Sequence, residues 1–177
     1  KFNPDGTKVW TRLLETSYMG EAYALTTGVD GSIYIAGQTD FDFNQQTLDF
    51  GSFISKFNPD GTKDWTRVLG TSRGFDTARA LTTGADGSIY IAGYNEFDRD
   101  GQINSGFLDA FISKLNPDGT KVWTRLLGTS SFDAASSLTT GADGSIYIAG
   151  ETYGDLDGQT NSGGDDASIY LGSEDAF

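Results

Sequence analysis

The sequence predicts an all-β fold, a β-propeller built from four-stranded antiparallel blades. Three observations point there. A unit of about 57 residues occurs three times. Each unit holds four strand-like runs separated by Asp-Gly turns. No stretch has convincing helical periodicity. The repeat is plain in Gly-Ser-Ile-Tyr-Ile-Ala-Gly at 31–37, 87–93 and 144–150, and in Asn-Pro-Asp-Gly-Thr-Lys beginning at Asn3, Asn58 and Asn116. Trp-Thr-Arg recurs at Trp10, Trp65 and Trp123, and Leu-Thr-Thr-Gly at Leu25, Leu81 and Leu138. The whole of 1–177 reads as one propeller domain or a fragment of one, with repeats over approximately 22–70, 78–128 and 135–171 and a further strand at 7–15.

In the second unit the first strand is expected at 79–83. Gly84-Ala85-Asp86-Gly87 then reverses the chain, because Asp-Gly supplies the positive φ of a tight hairpin. The second strand, 88–92, has two apolar faces, Ile89/Ile91 and Tyr90/Ala92, so burial on both sides is expected. A long polar loop leads to the third strand at 110–115. Asn116-Pro117-Asp118-Gly119 makes the next turn, Pro presetting φ and Gly closing it. The fourth strand follows at 121–127. A lone sheet of this kind leaves an apolar face wet, and neighbouring blades cover it. The N-terminus supplies a spare fourth strand at 8–14, while the third copy ends on a third strand at 166–171. Joining the two, within the chain or by exchange between chains, completes the last blade. Two chains exchanging terminal strands make six blades, a possible homodimer; further blades in a longer parent chain are the other expectation. The chain opens without an initiator Met or a signal-peptide pattern, which suggests a piece of something longer.

Composition narrows the chemistry. Twelve basic against 25 acidic residues give a formal charge of −13, which speaks against nucleic-acid binding through phosphates and against docking on anionic lipid. No apolar run approaches the roughly 20 residues of a membrane-spanning helix, so membrane insertion is not expected. With no His and no Cys, a Ser-His-Asp triad, a Cys nucleophile, imidazole or thiolate zinc sites and disulfides are excluded.

The run Asp-Gly-Ser-Ile-Tyr-Ile-Ala-Gly, followed by Asp-Ala-Phe-Ile-Ser-Lys-Leu-Asn-Pro-Asp-Gly-Thr-Lys-Val-Trp-Thr-Arg-Leu-Leu-Gly, is similar to the bacterial beta-propeller repeat family called SBBP. The likeness covers nearly the whole chain. It implies a non-catalytic propeller of seven blades in a large secreted or surface-attached bacterial protein, hence an extracellular or cell-surface location. It brings no common catalytic residues.

Strand order puts tight turns on one face of the array and long loops on the other. Asp5, Asp30, Asp60, Asp86, Asp118 and Asp143 are expected as turn formers that bond their own backbone. The loops 38–51, 94–108 and 151–165 are long, variable and acidic, the kind of segment that carries grafted function on a rigid scaffold. Candidate ligand-binding residues are Phe41, Asp42, Asn44, Phe97, Asp98, Asp100, Asn104, Tyr153, Asp155, Asp157 and Asn161. Rings beside carboxylates and amides suit a sugar face and its hydroxyls. Two loops share the pattern Asp-x-Asp-Gly-Gln-x-Asn, whose alternating oxygens are of the type calcium takes; Asp98, Asp100, Asp109, Asp155, Asp157 and Asp166 are the candidate ligands. The favoured reading of the same loops is an Asx-turn loop that needs no ion, and no cofactor is required. The leading expectation is therefore a non-catalytic scaffold that binds protein or glycan; the alternative is a lectin-like, possibly calcium-dependent domain. Carboxylate pairs such as Asp98/Asp100 or Asp165/Asp166 have the residue types of a glycosidase, but nothing singles one pair out, so an enzyme is not expected.

Overall fold

The structure, a computed structural model, describes residues 1–14, 20–41, 47–70, 75–161 and 167–172. Among them every regular element is a strand. The eleven are β1 (Gly20–Thr27), β2 (Ile33–Phe41), β3 (Thr47–Phe57), β4 (Lys63–Val68), β5 (Thr77–Thr83), β6 (Ile89–Asn95), β7 (Asp109–Leu115), β8 (Lys121–Leu127), β9 (Asp133–Thr140), β10 (Ile146–Thr152) and β11 (Ala167–Gly172). They form three antiparallel meanders, β1-β2-β3-β4, β5-β6-β7-β8 and β9-β10-β11. The expected strands of the second unit are present; β5, β6 and β7 extend past their expected ends by one to three residues, and β8 coincides with its expected span.

The three sheets stack in chain order. Tyr34, Ala36 and Ile54 of the first sheet pack on Ile89, Ile91, Phe111 and Leu115 of the second. On its other face, Tyr90, Ala92, Ala110 and Ile112 of the second sheet pack on Ala135, Ile146 and Ile148 of the third. The period-2 alternation of each strand thus gives every sheet an Ile face turned to the preceding sheet and a Tyr face turned to the next. The middle strand β6 is buried on both sides, as its two apolar faces require. The array is open: the first and third sheets lie on opposite faces of the second, and the three sheets do not close into a ring.

Two expectations change. Residues 9–14 form no strand, and β11 is an edge strand with β10 as its sheet neighbour, so the N-terminus does not complete the third sheet of its own chain. The N-terminal segment instead makes a small hairpin, with Phe2 bridged to Lys8, and lies against the first sheet: Arg12 Nε donates to the Gly61 carbonyl at 3.2 Å. It belongs by position to a sheet one step before the first, at the far end of the stack from β11. The loop expected over 38–51 is also shorter, because β2 runs on to Phe41 and β3 starts at Thr47, with Phe41 paired to Thr47.

The turn face is as expected from Asp-Gly chemistry. In all six turns the Asp side chain accepts the backbone N–H two residues on, at 2.8–3.0 Å: Thr7, Ser32, Thr62, Ser88, Thr120 and Ser145. Hydrogen bonds from the Thr and Ser hydroxyls, largest for Asp60, Asp86 and Asp118, and from these amides, largest for Asp5, Asp30 and Asp143, favour the charged carboxylate and hold all six Asp residues below the usual carboxylate range.

Candidate functional site at the loop end

The opposite end of the sheets is built around a repeated β-bulge. The pairing of the first and second strands shifts register between Ala22 and Ala24 in the first sheet, between Ala78 and Ala80 in the second, and at Ala149/Gly150 in the third. The extra residues are Tyr23, Arg79 and Ser136. A bulge re-aims its side chain, and here it sends Tyr23 and Arg79 out toward solvent. Each bulge presses a carbonyl onto the facing strand, at Gly37, Gly93 and Gly150. A Cβ there would overlap the carbonyl oxygen of Glu21, Thr77 or Ala134. That close approach explains the invariant last Gly of the Ile-Tyr-Ile-Ala-Gly run within this chain.

The bulges assemble an aromatic and cationic stripe across the three sheets. The Arg79 guanidinium lies 4.9 Å from the Tyr23 ring centre and 5.5 Å from that of Tyr94. Tyr94 packs at 6.2 Å on Phe132, and Phe132 meets Tyr153 edge-on at 5.4 Å. Tyr23, Arg79 and Tyr153 are exposed. Glu21 accepts from the Tyr23 hydroxyl; burial, that bond and the Glu21 charge push the Tyr23 phenol up to about 12. The Tyr94 hydroxyl bonded to Arg79, together with Coulombic attraction, moves the Arg79 pKa further up, so the stripe carries a fixed positive charge. Within an acidic chain, that cation sits between rings. Of this stripe, sequence reasoning reached Tyr153 alone. The available signal was the bulge, marked by a Gly opposite the first strand, which puts Tyr23 and Arg79 out of the period-2 alternation.

The two Asp-x-Asp-Gly-Gln-x-Asn loops are hairpins with their own internal partners. Arg99 and Gln102 pair across Asp100 (φ 52°) and Gly101 (φ 79°), and Leu156 and Gln159 across Asp157 (φ 48°) and Gly158 (φ 77°). Positive φ at both central residues is the type I′ turn, for which Asp-Gly is well suited. Asp98 accepts the Asn104 N–H at 2.8 Å, and Asn104 Nδ2 donates to the Asn95 carbonyl at 3.0 Å. Asp155 and Asn161 repeat this at 2.8 Å, with Asn161 Nδ2 on the Thr152 carbonyl at 3.0 Å. Gln102 then clips the Arg99–Gln102 hairpin to β8, Nε2 donating to the Thr124 carbonyl and Oε1 accepting from Leu126 N–H.

Among the described residues each candidate calcium ligand has its own local surroundings. Asp100 pairs with Lys121; burial opposes its ionisation, but hydrogen bonds from Lys121 and Thr124 and the nearby cationic charges win and keep it below the usual range. Asp109 is buried at the start of β7 and accepts the Ser105 N–H at 2.8 Å. Burial, assisted by the Asp133 charge, raises it. Among the described residues no three carboxylates come together as a metal site. Asp42, Asn44 and Asp166 lie outside the described residues; Phe41 ends β2. Phe97 is exposed beside the Arg99–Gln102 hairpin, and Arg99 is buried with its guanidinium 4.3 Å from the Phe111 ring, donating to the Leu69 carbonyl of the preceding sheet. Desolvation lowers the Arg99 pKa against the opposing charges of Asp76 and Asp100.

No family model matches this chain. Among curated proteins it is similar to the Regulatory protein FlaEY of Caulobacter vibrioides, 27% identical over 187 residues. The match takes in 93% of this chain but only 19% of that protein, so the chain spans about a fifth of the relative's length.

Proposed function

We propose that this chain is a segment of a β-propeller that serves as a non-catalytic interaction scaffold, part of a secreted or surface-attached bacterial protein, and that it binds protein or glycan at its loop end. The observation that carries the reading is the stripe from Tyr23 through Arg79, Tyr94 and Phe132 to Tyr153, of which Tyr23, Arg79 and Tyr153 are exposed at the same end as the acidic hairpins. Rings with a fixed cation among them and carboxylates beside them suit binding rather than bond breaking. Three sheets stacked through matching faces supply the rigid support. The closed ring is the finer part of the proposal and follows from the repeat, since stacked four-stranded meanders of this kind usually close at four to eight.

A glycan is the second reading, because tyrosine rings stack on sugar faces while Asp and Asn side chains bond hydroxyls. A glycan array run with and without a chelator tests it. Binding that falls at least tenfold in Tyr153→Ala and Arg79→Ala supports the sugar reading. Loss in chelator adds calcium to it. An array without hits removes the sugar and leaves protein as the ligand class, which a proteome-wide capture with the same two variants as controls then tests.

A further inference from the structure

We infer that the loop between β6 and β7 is a docking knob for a polypeptide partner, one that offers an apolar pocket rimmed by Lys and Arg. The inference rests on the reading of the loop end as a binding surface and deepens it, with a place apart from the stripe and a class of partner.

The second sheet has a neighbour on each face, so what its loop shows to solvent is independent of where the chain starts and stops. In that loop Phe97, Ile103 and Phe107 are 44%, 77% and 67% exposed. The Arg99–Gln102 bridge and the Asp98–Asn104 bond set Phe97 and Ile103 on the two arms of one hairpin stem. The Asn104 side chain then accepts the Gly106 N–H at 3.0 Å, in a tight turn just before Phe107.

The hairpin folds without these three side chains. The loop of the third copy has equal length and carries Gly154, Thr160 and Gly164 at the same places. Its hairpin makes the same Asp155–Asn161 and Asn161–Thr152 bonds and has the same pair of positive-φ residues. Two phenylalanines and an isoleucine held in water with no folding role mark a contact surface. The knob is also stiff. Arg99 donates to the Leu69 carbonyl of the first sheet, Gln102 bonds Thr124 and Leu126 of β8, and Asp100 pairs with Lys121. Where Arg99 stands, the third copy has Leu156. A knob bolted from two sides loses little freedom on docking.

Charge selects the partner. Glu96, Asp98 and Asp100 flank the apolar side chains in the loop, Lys121 is engaged by Asp100, and Arg99 is buried. The next hairpin adds exposed Asp155 and Asp157. Arg79, the exposed cation of the stripe, has the Glu151 charge near it. The field around the knob is therefore negative; it draws a basic polypeptide and repels acidic surfaces.

An NMR titration of the full chain with synthetic peptides tests the inference. The probes are an alternating Lys/Leu peptide, its Glu/Leu counterpart and oligolysine. The Lys/Leu peptide is expected to shift the amides of Phe97, Ile103 and Phe107 and to bind about tenfold more tightly than the other two, with affinity falling as salt rises. The triple variant Phe97→Gly, Ile103→Thr, Phe107→Gly gives this loop the third loop's residues. It is expected to keep the wild-type melting temperature and to lose about tenfold in binding, while Arg79→Ala and Tyr153→Ala stay within about twofold of wild type. Equal binding of the Glu/Leu peptide, or no binding of any probe, overturns the inference. A triple variant that melts lower also overturns it, since the three side chains then serve the fold. So does capture of the wild type by phosphatidylcholine vesicles that the triple variant abolishes, since the partner is then a lipid surface. Binding lost in the stripe variants and kept in the triple variant removes the knob and leaves the loop-end reading standing; binding unchanged in all the variants removes both.

Discussion

At the scale of single residues, two kinds of position answer most directly to substitution. Gly93 faces the bulge carbonyl of Thr77, and no side chain has room there. Gly93→Ala is expected to cost about 3 kcal/mol or more, the range of a backbone forced apart inside a packed sheet; urea unfolding measures it. The aspartates divide by environment. The six turn carboxylates are held below their ordinary 3.8 by hydrogen bonds from Thr or Ser. Their stabilisation is complete above that value and is lost as pH falls through the lowered ones. Asp109 has the opposite sign: raised from 3.8 by burial, it contributes below 3.8 and costs stability as pH rises through its folded value. Asp109→Asn is therefore expected to gain stability on wild type as pH rises from 4 to 7, whereas the deficit of Asp86→Asn against wild type is expected to hold steady over that interval and to shrink as pH falls below 3.8. Denaturant titrations at the two pH values separate the cases.

At the scale of elements, the turns were the most legible part of the sequence. Asp-Gly pairs dictated six short turns on one end, and the strand runs between them were alternating and short. The register was less legible. The bulge at Tyr23 and Arg79 breaks alternation by one residue without a turn residue to announce it, so the sequence alone points to loop carboxylates rather than to the stripe. In sequence the Asp-x-Asp-Gly-Gln-x-Asn pattern suits both calcium ligation and an Asx-turn loop. Local hydrogen bonding matches the hairpin, since Asp100 and Gly101 both hold positive φ and Asp98 is spent on Asn104 N–H. Gly101→Val is expected to cost about 1–2 kcal/mol through its left-handed backbone, and Gln102→Ala to free the hairpin from β8. Faster amide exchange at Leu126, with the rest of β8 unchanged, reports the second event.

At the scale of the whole molecule, stability resides in the junctions between sheets as much as within them. Trp65 links its own sheet to Gly119 of the next, so Trp65→Ala is expected to cost about 2–4 kcal/mol, less than full burial of a tryptophan would imply. It is also expected to broaden the thermal transition by uncoupling the first sheet from the second, which calorimetry detects as a van't Hoff enthalpy below the calorimetric one. The position of the N-terminal segment was not legible in sequence for a related reason. Its residues match a fourth strand, but a strand needs a neighbour, and the third sheet lies at the other end of the stack.

The polarity of the sheets, Ile on one side and Tyr on the other, reaches beyond this chain. Because every junction is made from the same pair of surfaces, copying or deleting one whole unit in the gene leaves each remaining seam matched. Vane number can drift over evolutionary time without redesign of any seam, while the stripe lengthens or shortens by one step with each event.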